Sequence, residues 1–160
     1  MTSILASLAI VGTSVSPLPA DSLDACGLFT REEVTALAGE NARKPRAFST
    51  NPAMHSSCTT TSSTGKWTVK VYIERSPDAQ VQKMALDALK KVGGLQPVSG
   101  LGDQAWWGQL SPTNGQFHVI IGLTMVSIQT WGEAPGAGTP EKTRPIADIV
   151  IKRYRERYGQ

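Results

Sequence analysis

The stretch KWTVKVYIER, residues 66–75, decides the fold class of this chain. Apolar side chains occupy every second position, and polar or amphipathic ones fill the positions between them. A period of two with one polar face predicts an antiparallel strand that is buried on one side only. The side chains expected to face the core are Trp67, Val69, Val71 and Ile73.

Turn signals on both sides extend this strand into a sheet. Upstream, the turn Ser63-Thr64-Gly65 joins it to a Thr-rich segment, so residues 58–75 are predicted to form a hairpin. Downstream, Asn114-Gly115 is a strong hairpin signal, and Gly122-Leu123 is predicted to be a second turn. Residues 104–131 are therefore predicted to form a three-stranded meander.

Three amphipathic segments predict helices. The first is marked by a capping box of Thr30 and Glu33, the second by an N-cap at Ser76, and the third by Thr139 before Pro140. The apolar positions with helical spacing are Val34, Leu37 and Ala38; Val81, Met84, Ala85, Ala88, Leu89 and Val92; and Ile146, Ala147, Val150, Ile151 and Tyr154. The pattern predicts an α+β fold, with an antiparallel sheet of about five strands packed by two to three helices.

The chain length of 160 residues suits one domain, preceded by an export signal. Residues 1–20 are predicted to be a signal peptide, because the apolar run Ile4–Gly12 is too short to span a bilayer and Ala20 suits the end of a leader. The alternative is a disordered or strand-like segment. Residues 21–160 are predicted to form a single domain, secreted or held in the periplasm or cell envelope.

Two cysteines, Cys26 and Cys58, are present. An even number in an exported chain suggests a disulfide, and two free thiols or a shared metal are the alternatives. The spacing is not that of a C-x-x-C redox motif, and two sulfurs without histidine partners make a poor zinc site. The tetrapeptide Leu23-Asp24-Ala25-Cys26 resembles a lipobox, but the apolar run ends 14 residues before Cys26, so lipid anchoring is not expected.

The formal net charge of +3 is mildly basic, and the sequence shows no known nucleic-acid module, so no nucleic-acid partner is expected. A small basic cluster of Arg43, Lys44 and Arg46, interrupted by Pro45, lies within residues 40–56, which are predicted to be irregular. The cluster is interpreted as a solvated loop or edge strand, and the alternative is a patch that faces an anion.

Catalytic machinery is not evident in the sequence. His55 is followed by Ser56 and Ser57, and a triad with an acid is conceivable, but the chain has no nucleophile elbow. His118 lies in a predicted strand and is interpreted first as a structural histidine. The carboxylates are scattered without the spacing of a glycosidase or a metal cage. We therefore predict no catalytic residue, no metal and no cofactor.

The tryptophans are the best candidates for contact with a ligand or partner. Trp106 and Trp107 are adjacent in a predicted strand, so their side chains must point to opposite faces of the sheet. Trp67 is predicted to be in the core. We assign Trp107 and Trp131, together with His118, to a candidate ligand- or partner-binding surface.

Several motifs occur in a characteristic order: DACGLFT at 24–30, Glu33-Val34, the later Cys58, and VSGLGDQAW at 98–106. In this order they resemble a domain-of-unknown-function family of exported proteins and lipoproteins from actinobacteria, over roughly residues 22–155. The resemblance implies a PsbP-like sandwich, a bond between the two cysteines and an exported location. It supplies no catalytic residue.

These observations favour a non-catalytic binding or accessory protein whose partner is another extracytoplasmic protein or a small apolar ligand. An inhibitor or immunity-type protein that blocks a secreted enzyme is the first alternative, and a protruding loop at 132–140 or 111–115 would favour it. The second alternative is an extracytoplasmic hydrolase that uses His55 or His118.

Overall fold

The computed structural model of the chain describes residues 22–91 and 93–159, so the predicted signal peptide and Val92 lie outside the described residues. A short 3-10 helix, Ala25–Leu28, comes first. The helices are α1 (Arg31–Ala38), α2 (Ala79–Lys91) and α3 (Pro140–Tyr158). The strands are β1 (Arg46–Phe48), β2 (His55–Thr61), β3 (Thr68–Arg75), β4 (Leu95–Val98), β5 (Gln104–Ser111), β6 (Asn114–Ile121) and β7 (Thr124–Trp131).

The strands form one antiparallel sheet of seven, in the order β1-β2-β3-β7-β6-β5-β4. The hairpin β2–β3 and the meander β5–β6–β7 confirm the sequence prediction. The predicted number of about five strands was too low, because the sheet has two further edge strands. Every residue of β1 is exposed and β4 contains Pro97, so neither shows the period-two pattern that marks a half-buried strand.

One face of the sheet forms the core and is called the core face here. Cys58, Val71, Ile128, Phe117 and Trp107 are cross-strand neighbours on this face, and all are buried. The 3-10 helix, α1 and α3 cover it. The predicted apolar side of α3 is confirmed by its buried residues, which include Ile146, Ala147, Val150, Ile151 and Tyr154.

Glu33, a residue of the α1 capping box, also joins α1 to α3. Thr30 Oγ1 accepts from the Glu33 amide and Glu33 Oε2 accepts from the Thr30 amide, which confirms the predicted capping box. The same carboxylate receives two 2.7 Å hydrogen bonds from Arg153. Burial opposes ionisation of Glu33, but the hydrogen bonds from Arg153 and Thr30 outweigh it and lower the pKa of the carboxyl.

Helix α2 differs most from its prediction. It begins at Ala79 rather than beside Ser76, because the Asp78 carboxylate accepts from the amides of Gln80 and Val81 at 2.8 and 2.9 Å. Met84, one of the apolar positions that predicted this helix, is 66% exposed. No described residue of α2 is buried, and the helix lies across the face of the sheet opposite the one that α1 and α3 cover.

The segment Gly100-Leu101-Gly102-Asp103 has a structural role. Gly102 has φ +60°, and an added Cβ would collide with Val119 and with the carbonyl of Ile120. Asp103 Oδ2 accepts from the amide of Gly122 at 2.8 Å in the β6–β7 turn. The segment therefore fixes the start of β5 against the end of the neighbouring hairpin.

Candidate functional site

The face of the sheet opposite the core is called the outer face, and α2 crosses it. At one end of the helix, the Gln82 amide donates to the carbonyl of Gly122 at 2.7 Å. At the other end, Lys90 Nζ lies 5.0 Å from the ring centroid of Trp106. Helix α2 therefore spans from the β6–β7 turn to β5.

A row of four side chains crosses the outer face. Tyr72, Ser127, His118 and Trp106 are direct cross-strand neighbours on β3, β7, β6 and β5. Residues that lie directly opposite each other in antiparallel strands have Cβ atoms about 4.5–5.5 Å apart, so the row is contiguous. Ser127 is buried and the other three are half-buried. Two aromatic rings thus flank a hydroxyl and an imidazole.

His118 carries the polar chemistry of this row. Its Nδ1 lies 3.3 Å from Ser127 Oγ and 3.5 Å from Gln116 Nε2. Burial lowers the pKa of His118 to about 4, so the imidazole is neutral at pH 7. Within the described residues, Nε2 of His118 has no hydrogen-bond partner and is not fully enclosed, so this nitrogen can donate to or accept from a ligand.

The lowered pKa of His118 makes stability depend on pH. An unfolded histidine titrates near 6.5, so below that pH the unfolded chain binds a proton that the folded chain binds only near pH 4. The contribution of His118 to the free energy of unfolding is therefore fully present above about pH 6.5, and it is lost as the pH falls toward 4. Replacing His118 with glutamine should reduce the loss of unfolding free energy between about pH 7.5 and 4.5 by on the order of 2–3 kcal/mol.

Urea unfolding at both pH values measures this loss, and His55→Gln is the matched control because His55 lies outside the row. Equal losses for the native chain and for His118→Gln would contradict the assignment.

The four tryptophans divide between the two faces of the sheet. Trp107 is 3% exposed and its ring centroid lies 4.7 Å from that of Phe117, so it is a core residue and its candidate binding role was wrong. Trp106 is the member of the pair that lies on the outer face. Trp131 is half-buried at the end of β7 on that same face, and the predicted core position of Trp67 is confirmed.

The structure does not bring His55 together with either neighbouring serine. His55 Nε2 lies 3.1 Å from Thr50 Oγ1. Ser56 Oγ accepts from the amide of Ala25 at 3.0 Å, and the hydroxyl of Ser57 donates to the carbonyl of Phe48 at 3.4 Å. Over residues 22–91 and 93–159, no three His, Cys, Asp or Glu side chains are placed to hold a metal ion.

The loop after β7 is held against the sheet and does not protrude. Trp67 Nε1 donates to the carbonyl of Ala137 at 3.3 Å, and the Gln109 amide donates to the carbonyl of Gly138 at 2.8 Å. Ala137 and Gly138 are buried. The feature that would have favoured an inhibitor is therefore absent from this loop.

Cys26 and Cys58 form a disulfide that joins the 3-10 helix to β2. Disulfides persist in oxidising compartments outside the cytosol. None of the helices in the described part of the chain has the length and hydropathy needed to cross a membrane.

Comparison with known proteins shows the fold but no family. No family model and no curated protein matches the chain. Among solved structures, the chain is similar to the extracellular domain of PknH from Mycobacterium tuberculosis, with a TM-score of 0.51 and 14% identity over 89% of this chain and 100% of that one. At this identity the likeness shows a shared fold alone.

Proposed function

We propose that this chain is an extracytoplasmic binding domain without catalytic activity, and that a small molecule with an apolar body and a polar group binds between α2 and the outer face. The incomplete burial of α2 carries the proposal. An amphipathic helix normally buries its apolar stripe against the sheet, yet no described residue of α2 is buried. Leu86 and Leu89 are only half-buried, so the layer between helix and sheet is incompletely closed.

The outer face offers the mixture of groups that small-molecule sites use. Such sites are mostly apolar, with a few polar groups that fix orientation. Ile120 provides a buried apolar floor although it lies outside the main core cluster, and Trp106 provides an aromatic wall. His118 Nε2 supplies the polar group. Because the imidazole stays neutral at pH 7, it suits an uncharged hydroxyl, carbonyl or amide.

The chain after α2 allows the helix to adjust to a ligand. Gly93 and Gly94 both have left-handed φ values, +78° and +70°, and a Cβ at either position would meet no neighbouring atom. This glycine pair is therefore not packed against the rest of the domain. A small displacement of α2 would not disrupt the core face, where α1 and α3 pack.

We also propose export, and membership of the actinobacterial family that the sequence motifs resemble, with its PsbP-like sandwich. The disulfide supports an extracytoplasmic location. It also occupies the sulfur of Cys26, the atom to which a lipid thioether would have to be attached. Both points support the proposal of a secreted or envelope protein without a lipid at this position.

A neutral fluorescent probe tests the proposed site. N-phenyl-1-naphthylamine should brighten on binding the native chain, and Trp106→Ala should weaken its affinity by about tenfold because the aromatic wall is lost. Met84→Gln is the matched control, since Met84 lies on the same helix and is 66% exposed. Its affinity should stay within about twofold of native.

Thermal unfolding of each variant confirms that the domain is intact. If the probe fails to bind, the proposal is wrong. If Met84→Gln abolishes binding while Trp106→Ala does not, the exposed side of α2 is the binding surface, which would favour a protein partner instead.

A further inference from the structure

The basic cluster noted in the sequence lines a cavity at the β1 edge of the sheet. The cavity has a volume of about 220 Å³ and is lined by Arg43, Lys44, Arg46 and the segment 59–61 of β2. This group of residues is called the basic edge site here. It is separate from the proposed site under α2, which lies toward β5 and β6.

A bulge in the edge strand shapes the basic edge site. Ala42 is bridged to Ser62 and Arg46 pairs with Thr59, so four residue steps on one strand face three on the other. One extra residue is therefore inserted between these pairs, where Pro45 lies. Bulges at sheet edges redirect side chains, and proline is tolerated there because no ladder hydrogen bond is required of its nitrogen. The irregular backbone allows consecutive cations to line one cavity.

The cations of the basic edge site have no acidic partner among the described residues. The salt bridges of the domain lie elsewhere, and none involves Arg43, Lys44 or Arg46. By contrast, five basic residues of α3 each pair with a carboxylate: Arg144, Lys152, Arg153, Arg155 and Arg157. Arg43, Lys44 and Arg46 therefore place three cations without a paired carboxylate side by side at the edge of the sheet.

The surroundings add to this positive charge. Lys70 pairs across the strands with Thr59, which in turn pairs with Arg46, so these three lie in one row on the outer face. Among the described residues, the Arg43 guanidinium donates one hydrogen bond, to the carbonyl of Ser63, which leaves further N–H groups that can donate to a ligand. Like charges held close together repel each other by about 1 kcal/mol per pair in water, and an anion bound between them adds attractive interactions that offset this repulsion.

We propose that the basic edge site binds a phosphate group, and that Phe48 contacts the apolar part of the molecule that carries it. Guanidinium forks match the oxygens of a phosphate, and an ammonium adds a point charge. Thr59 has no side-chain hydrogen bond within the described residues and can donate to a further oxygen. Phe48 is 69% exposed and lies on the same side of β1 as Arg46. A phosphorylated amphiphile fits both features.

Two probes separate the sources of such a phosphate: inorganic phosphate in solution, and vesicles of phosphatidylcholine with or without phosphatidylglycerol. Binding of inorganic phosphate is measured from changes in the amide NMR chemical shifts, and binding to vesicles is measured by co-sedimentation. The variant R43Q/K44Q/R46Q should lose at least about tenfold in affinity for the probe that binds, and added salt should weaken native binding. The variant K91Q/K142Q/K152Q, with the same change in charge, should stay within about twofold of native.

Phe48→Ser then identifies the contribution of the apolar contact, because it should weaken vesicle binding and leave inorganic phosphate unaffected. Binding of free phosphate but not of anionic vesicles would identify a soluble phosphate ester as the ligand, and binding of the vesicles would identify a lipid headgroup. Binding of neither probe, or equal loss in the two triple variants, would overturn the proposal.

Discussion

Replacing Trp107 with alanine should lower the free energy of unfolding by about 3–5 kcal/mol, whereas the same change at Trp106 should lower it by about 1 kcal/mol or less. The two residues are adjacent in β5 and have the same side chain, so they form a matched pair. Trp107 is 3% exposed and stacks at a tilt against Phe117, and its removal would leave a large cavity in the core. Trp106 is half-buried on the outer face and contacts Lys90.

Urea unfolding of the native chain and both variants measures the difference. The slope of the unfolding free energy against urea should be unchanged, since unfolding exposes nearly the same surface in each. If Trp106→Ala is the more destabilising change, the assignment of the two faces is reversed, and the proposed site under α2 is lost with it.

Loss of the disulfide should have an effect of similar size. The bonded cysteines are 32 residues apart in the sequence, and closing a loop of that length constrains the unfolded chain by about 3–4 kcal/mol. The double variant Cys26→Ala/Cys58→Ala loses this constraint and should be destabilised by about that amount. Alanine at the buried Cys58 position adds no polar group, so no further cost is expected there.

Dithiothreitol provides the control for this prediction. It should lower the melting temperature of the oxidised native chain toward that of the double variant, and it should leave the variant unchanged. A native chain produced under oxidising conditions whose melting temperature does not respond to the reductant would contradict the disulfide, and with it the argument for an extracytoplasmic location.

Local patterns predicted the elements that bury one face. The alternation in residues 66–75, the Thr30–Glu33 capping box and the apolar side of α3 each depend on neighbours a few residues away. The edge strands β1 and β4 were missed because the side chains of an exposed strand need not alternate between apolar and polar. The position of α2 was missed because an amphipathic stripe shows that a helix lies on a surface, but not which face of the sheet it covers.

The candidate site was only partly predictable for a related reason. His118 was named from the sequence, but its neighbours Tyr72 and Ser127 come from distant strands and are set by register. Trp106 and Trp107 had to lie on opposite faces, yet alternation does not say which one faces the core. The basic cluster was visible in the sequence. Its side chains line one cavity only because of the bulge at Pro45, which no local sequence pattern predicts.

The contacts between α3 and the start of the domain have a practical consequence for tethering. The Asp24 amide donates to the Tyr158 hydroxyl at 3.0 Å, and Arg157 pairs with the Asp24 carboxylate at 3.1 Å. The first and last described segments of the chain are therefore neighbours on the side of the sheet that α3 covers. A fluorescent protein or surface anchor fused at either segment would leave the outer face turned toward the surrounding solution, and a circular permutant could join the two segments with a short linker.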